Sequence, residues 1–494
     1  MESNRALRSP RAAGGRHAAS PRGSAPRRGS VFGGGRNLTI ILISMIVAVI
    51  AVVVAANVAW WPRSTTVRTS ASTSGAKPTT RSTGPAASGG TTAASSHTGG
   101  ASGSGGPSGS GTGGSGAGGS AATLPAGAVP PTIGLAPGAT SPSASGLLTA
   151  ERTLPKLSAT QLAGQRVIYS YTGLTPPAQL ISLIKHGDVA GVIFFSDNVQ
   201  SISQMASVSA ELQKAAMSSS DPVHLPLLLM TDQEGGEVRR LPGEPVLSAK
   251  QMGESKHSWA TATTEGKLGA QNMRNAGLNV NLAPVLDVYR QAGNFIDEYG
   301  RSFSNNAGKV AKLGTLFAQA EQAQGVAATV KHFPGLGAAA TNQDTDERPV
   351  TLNVPLSQLR NVDEKPYKSA IAAKVKLVMV SWAIYPALDK TYPAGLSSKI
   401  VQNELRTRLK FGGVTITDAL EAGALNPFGG IARRATLAAR AGMDLLLCAQ
   451  QAPSEGTTAM NSLAYDYTHK SLNQKAFKAA VERILALRAS LAKG

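Results

Sequence analysis

The sequence holds a single cysteine, Cys448, among its 494 residues. One thiol excludes an intrachain disulfide and any metal site built on cysteines. It ends the apolar run Leu445-Leu446-Leu447, where a small core residue is the natural reading. The seven histidines show neither HxH nor HxxxH spacing, so no metal is expected, and no other cofactor. Acidic residues are scarce, 29 against 48 Lys and Arg, which gives a formal charge of +19. The excess is uneven: residues 1–149 hold twelve Lys and Arg against one acid, Glu2, and so carry +11 of it. Residues 150–494 lack the basic stripe with aromatic platforms that nucleic-acid binding needs, so nucleic acid is not an expected partner.

A long apolar run occurs once. Residues 1–36 form a basic arm with eight arginines, and Thr39–Trp61 then runs for 23 residues without a charge. A helix of that length spans a hydrocarbon core of about 30 Å. A cleaved signal peptide has a shorter apolar region, about 7–15 residues, so 37–61 is expected to be an uncleaved anchor. The arginines before it predict a cytoplasmic N-terminus and an extracytoplasmic remainder, a single-pass protein of the cell membrane. Residues 62–149 are Ser, Gly, Thr, Ala and Pro in the main, which predicts a disordered linker.

From residue 150 short apolar runs alternate with amphipathic stretches. The expected strands are 167–171, 191–195, 225–230, 278–282, 326–330, 376–380, 413–416 and 443–447. Helical patterns cover 202–217, 307–324, 356–373, 397–411 and 431–441, and a last one over 474–491 is expected to close the outer ring. Eight βα units in one α/β domain fit a (β/α)8 barrel. A doubly wound open sheet is the alternative, which the lack of a G-x-G-x-x-G after an early strand disfavours.

In such a barrel the C-terminal strand ends converge on one mouth, and polar groups cluster at those positions. After the third strand comes Asp232-Gln233-Glu234-Gly235-Gly236, with Arg239 and Arg240 beyond. After the fourth come Asp287 and Arg301-Ser302-Phe303. The fifth ends in Lys331-His332-Phe333-Pro334-Gly335, followed by a Gly- and Ala-rich loop with Asn342, Gln343 and Asp344. The seventh ends in Thr417-Asp418-Ala419-Leu420. Carboxylates and guanidiniums gathered there suit a polyhydroxylated ligand, because each can take two hydroxyls. Taken singly, Asp418 could equally cap a helix, Arg301 could be a structural ion-pair partner, and Trp382 could be a stacking platform or a core aromatic.

These motifs resemble those of glycoside hydrolase family 3, and in particular its single-domain bacterial β-N-acetylhexosaminidases. D-Q-E-G-G, R-S-F, K-H-F-P-G and T-D-A-L occur in the family's order from about residue 155 onward. The resemblance implies a (β/α)8 barrel that releases terminal N-acetylglucosamine with retention of configuration. It implies that Asp418 is the nucleophile and that Asp232, Arg240, Arg301, Lys331 and His332 bind the sugar. The loop departs from the family. Its usual Asp–His acid/base pair is replaced by Asn342 and Asp344. Asp344 is the expected proton donor, oriented by Asn342, with Asp346 and Glu347 as alternatives on the same loop. The expected function is a membrane-anchored glycosidase acting on cell-wall (peptidoglycan) fragments. A wall-sugar-binding protein without turnover and a family β-glucosidase are the other readings.

Overall fold

The structure is a computed structural model that describes residues 144–492 apart from Ser219. The basic arm, the expected anchor over 37–61 and the expected linker up to residue 143 lie outside the described residues. Among the described residues no helix is long and apolar enough to cross a membrane. The final residues expected in the linker are helical instead: Ala144–Thr153 forms a helix. Leu147 packs against the core and Ala150 is fully buried, so apolar contact overrides a composition rich in Ser and Gly.

The strands, in chain order, are β1 (Val167–Tyr169), β2 (Gly191–Ile193), β3 (Leu228–Thr231), β4 (Gln233–Gly235), β5 (Val238–Arg239), β6 (Val280–Asn281), β7 (Ala327–Phe333), β8 (Leu377–Val380), β9 (Val414–Ala419) and β10 (Leu445–Leu447). Eight of them pair in parallel around a closed barrel, in the order β1, β2, β3, β6, β7, β8, β9, β10 and back to β1. Each falls on a run expected to be a strand. The runs are mostly apolar because both faces are covered. Ile168, Met230, Leu282, Met379 and Ile416 fill the barrel interior. Tyr169, Leu229, Val330, Val380 and Leu446 face outward against the helices. The (β/α)8 expectation therefore holds.

The last helix, Gln474–Leu491, does not close the outer ring as expected. The helix Pro453–Thr468 follows β10 and completes the ring. Gln474–Leu491 instead lies across the N-terminal end of the barrel, with Ile484 and Leu487 joining the interior cluster. Arg488 is fully buried and donates to the backbone carbonyls of Leu225 and Pro226, just before β3, and to the side chain of Gln165, just before β1. Arg483 donates to the carboxylate of Asp444, just before β10, at 2.6 Å. Sequence periodicity marks this helix as amphipathic but carries no record of which surface its apolar side covers.

Candidate active site

A cavity of about 210 Å³ opens at the C-terminal ends of the strands. It is lined by Asp232, Arg240, Arg301, Lys331, His332 and Asp418, six of the seven residues expected in the site. Asp344, the seventh, is not on its wall, whereas Glu234 and Asp346 are. The volume lies below the range of about 300–1,000 Å³ typical of drug-sized ligands, and so suits a single sugar unit.

The stretch after β3 turns back on itself. β4 and β5 form a small antiparallel ribbon outside the barrel. Gly235 stands at φ +99°, and a Cβ there would lie 2.2 Å from the carbonyl oxygen of Leu247, so this position requires glycine. The Gln233 side chain holds the ribbon together: its Oε1 accepts from the amides of Arg240 and Leu241, and its Nε2 donates to the carbonyls of Leu241 and Glu244. The ribbon sets Glu234 and Arg240 on the cavity wall. Arg240 leaves its Nε–H buried with no partner, the state expected of a donor waiting for a ligand.

Glu234 is the hub that sequence reading passed over. Arg301 grips it bidentately, Nε to Oε2 at 2.9 Å and Nη2 to Oε1 at 2.8 Å. Lys331 reaches Glu234 Oε1 at 2.9 Å and Asp232 Oδ1 at 2.6 Å. Burial alone would raise the Glu234 carboxyl, but Arg301 and Lys331 overcome it and hold the group well below the ordinary carboxylate range. Three of the expected sugar-binding residues, Asp232, Arg301 and Lys331, are thus joined through Glu234 in one ionic network, while Arg240 and His332 stand outside it. The third residue of the D-Q-E-G-G motif, a carboxylate facing two nearby cation motifs, was the available signal.

Asp287 is the second residue that sequence reading left without a role. It is fully buried, and its Oδ2 lies 2.8 Å from His332 Nδ1. Its Oδ1 accepts from the backbone amides of His332 and Leu336 at 3.3 and 2.7 Å. Asp287 thus holds the Nδ1 edge of the His332 ring, and the ring lines the cavity. Trp382 proves to be a core residue: it is fully buried, and its indole donates to the carbonyl of Ala419 at 2.7 Å, beside Asp418. Asp418 accepts from the amide of Ala419 at 2.9 Å. Its carboxylate is in none of the ion pairs among the described residues, which leaves its oxygens for a ligand.

On the loop after β7, Asp344 serves the backbone. Its Oδ1 accepts from the amide of Asp346 at 2.8 Å, a local turn bond of the kind Asp makes two residues on. Asn342 is exposed. Asp346 lines the cavity, although much of its own surface reaches solvent. Desolvation, with the negative charges of Asp418 and Asp344 beside it, pushes its carboxyl up to about 7, while Arg301 opposes the shift. A second acidic pair joins half-buried Glu421 to buried Glu455: desolvation and Glu421 push Glu455 up to about 8. Among the described residues no group of three His, Cys, Asp or Glu is disposed to hold a metal. Cys448 is wholly buried, which pushes its thiol up and leaves it inert.

The sequence matches the profile of the glycosyl hydrolase family 3 N terminal domain over residues 158–487. It is 45% identical over 329 residues to a protein of Arthroderma benhamiae named "Uncharacterized secreted glycosyl hydrolase", covering 67% of this chain and 93% of that one. It is 32% identical over 293 residues to a "Beta-hexosaminidase" of Stenotrophomonas maltophilia, covering 57% of this chain and 82% of the other. Among solved structures, a glycoside hydrolase family 3 beta-N-acetylglucosaminidase from Paenibacillus superposes with a TM-score of 0.64 at 33% identity, covering 68% of this chain and 63% of that one. A beta-N-acetylhexosaminidase from Beutenbergia cavernae does so with a TM-score of 0.62 at 28% identity, covering 67% and 99%. With two thirds of its length matched and the motifs converging on one mouth, the chain belongs to glycosyl hydrolase family 3 and is a glycosidase.

Proposed function

We propose that the chain is a retaining β-N-acetylhexosaminidase in which Asp418 is the nucleophile and Asp346, not Asp344, is the acid. The observation that carries this is the pair of carboxyls on one cavity wall, one pushed up to about 7 partly by the other's charge. Two carboxylates in different protonation states near neutral pH are what retaining hydrolysis requires. An Asp418 oxygen attacks the anomeric carbon as the glycosidic C–O bond breaks, and the Asp346 proton passes to the leaving oxygen. Water then attacks the anomeric carbon, gives its proton back to Asp346, and the ester to Asp418 opens. Asp232, Arg240, Arg301, Lys331 and His332 hold the sugar hydroxyls. The names of the Stenotrophomonas and Paenibacillus relatives support N-acetylglucosamine as the sugar.

The deciding experiment compares two substrates on Asp346→Ala and Asp344→Ala. With Asp346→Ala, hydrolysis of a disaccharide of N-acetylglucosamine should fall about 10²–10⁴-fold, the usual contribution of a general acid. An aryl glycoside with a good leaving group needs little protonation and should keep its first step. Asp344→Ala should lose far less on either. Equal losses of Asp346→Ala on both substrates would remove Asp346 from the acid role. The rival reading, a sugar-binding domain without turnover, leaned on the missing Asp–His pair, which an acid at Asp346 replaces. Failure of the parent protein to release sugar from either substrate would favour that rival.

The location is proposed on sequence grounds. The arginine-flanked run over 37–61 supports a single-pass anchor, with the barrel outside the membrane and peptidoglycan fragments within its reach. The Arthroderma relative's name, which describes it as secreted, agrees with an extracytoplasmic barrel. Protease added to intact cells should release the barrel; a barrel that stays protected until lysis would overturn this topology.

A further inference from the structure

The Gly- and Ala-rich composition of the loop after β7 predicts a lid that closes over substrate and withdraws. Its backbone bonds describe something else. At its start, the carbonyl of Gly337 accepts from the amide of Arg290 and from Asn294 Nδ2, both at 2.9 Å. A Cβ at Gly337 would lie 2.0 Å from the carbonyl oxygen of Val288. At its other end, the loop is bonded to the segment that leaves β9. The amide of Gly423 donates to the carbonyl of Asp346 at 2.7 Å, and that of Ala424 to the carbonyl of Thr345 at 3.0 Å. The approach is too close for any side chain at residue 423. A Cβ there would stand 2.1 Å from the carbonyl oxygen of Glu347 and 2.9 Å from that of Asp346.

We propose that Gly423 is a positioning residue for catalysis: it seats residues 345–347 on the exit of the nucleophile strand, so that Asp346 is held beside Asp418 without closure of a lid. Acid and nucleophile are thereby built on one piece of backbone, since residue 423 lies five positions beyond Asp418. A proton donor held at fixed distance avoids the reorganisation a mobile loop would need at each turnover. This inference rests on the reading of Asp346 as the acid, and the test separates the two.

The test adds one methyl group in two places. Gly423→Ala forces the loop off its seat. Gly430→Ala adds the same group seven residues on, where a Cβ meets nothing within 4 Å. Displacing a catalytic group by about 1 Å can cost on the order of 10²-fold. Gly423→Ala should therefore lose about that much on the disaccharide, while the first step on an activated aryl glycoside stays near the parent rate. Its alkaline limb of kcat/KM should also move below that of the parent, because Asp346 leaves the neighbourhood that raised it. Gly430→Ala should match the parent in both respects. Parent-like kinetics of Gly423→Ala would overturn the inference. So would equal losses on both substrates with an unmoved alkaline limb, since that pattern marks general damage. If Asp346→Ala itself shows no leaving-group dependence, the acid assignment fails first. Amide hydrogen exchange on the unaltered protein decides the matter even if Gly423→Ala does not fold. The amides of Gly423 and Ala424 should exchange slowly, and fast exchange at both would rule the seat out.

Discussion

Buried charge is handled in opposite ways at the two ends of this barrel. At the N-terminal end, Asp444 is fully buried and meets Arg406 at 2.5 Å and Arg483 at 2.6 Å, and accepts from the amide of Thr415 at 2.9 Å. Arg166, also buried, donates to its backbone carbonyl. Burial opposes ionisation of Asp444, yet the two guanidiniums hold its carboxyl below the ordinary value. At the C-terminal end, Glu234 is neutralised in the same manner, but its neighbours are not. Asp418 has no cation bonded to it, Arg240 keeps a buried donor without a partner, and Asp346 is pushed up to about 7. The first arrangement completes its own interactions; the second leaves openings that a substrate can fill. Burial of ionisable groups therefore does not by itself identify a site; at the mouth, open groups that line one cavity together do.

This contrast predicts which changes harm chemistry and which harm the fold. The largest effect is expected from Asp418→Asn. It should lower turnover by about 10⁴–10⁶-fold, the scale seen when a nucleophile is removed, while sugar binding and thermal midpoint stay near those of the parent. A large fall in the midpoint would give Asp418 a structural role instead. At the opposite end, Asp444→Asn should cost about 3–5 kcal/mol of stability, because it strands buried guanidiniums. Turnover per folded molecule should not change; denaturant titration and active-site counting together check this. Arg240→Ala should weaken binding of N-acetylglucosamine by about 1.5–3 kcal/mol with little loss of stability, since its Nε has no protein partner to strand. Unchanged affinity by titration calorimetry would show that this donor does not meet the sugar.

The smallest effects concern pH, and the two ends should respond with opposite sign. Asp444 is lowered in the folded state, so its contribution to stability is present above the ordinary carboxylate value of about 4 and is lost as pH falls through the folded value. Asp346 is raised, so its contribution is present below about 4. That contribution is lost as pH rises through about 7, and under the proposed assignment the same lost proton is the one catalysis needs. Disaccharide hydrolysis should accordingly decline above about pH 7, whereas an aryl substrate should show a weaker decline. A pH profile identical for both substrates would contradict this.

The barrel was legible in the sequence because its strands are buried on both faces and so appear as short, mostly apolar runs between turn residues. The mouth was legible because polar groups come directly after those runs. Two residues were not, nor was the choice between two carboxyls on one loop. Glu234 acquires its role only when the β4–β5 ribbon folds it back between Arg301 and Lys331. Asp287 lies 45 residues from His332 in sequence, and a pairing at that distance leaves no local pattern. Asp344 and Asp346 differ by two positions on one loop, and a turn bond between them decides which carboxyl is spent on the backbone and which lines the cavity.

The helix across the barrel's N-terminal end ties the order of synthesis to the order of folding. Arg488 is bonded to Gln165, 323 positions earlier, and to the carbonyls of Leu225 and Pro226. Contacts of such sequence separation are slow to form, because the loop must close before they contribute. A nascent chain can place all eight strands outside the ribosome while the floor of the barrel still lies inside the exit tunnel. A premature stop shortly after residue 473 would remove the helix Gln474–Leu491 and would expose Asp444 and the interior beneath Ile484 and Leu487. The severity of a truncation in this protein is set by what the missing segment covers and not by how much of the chain is gone.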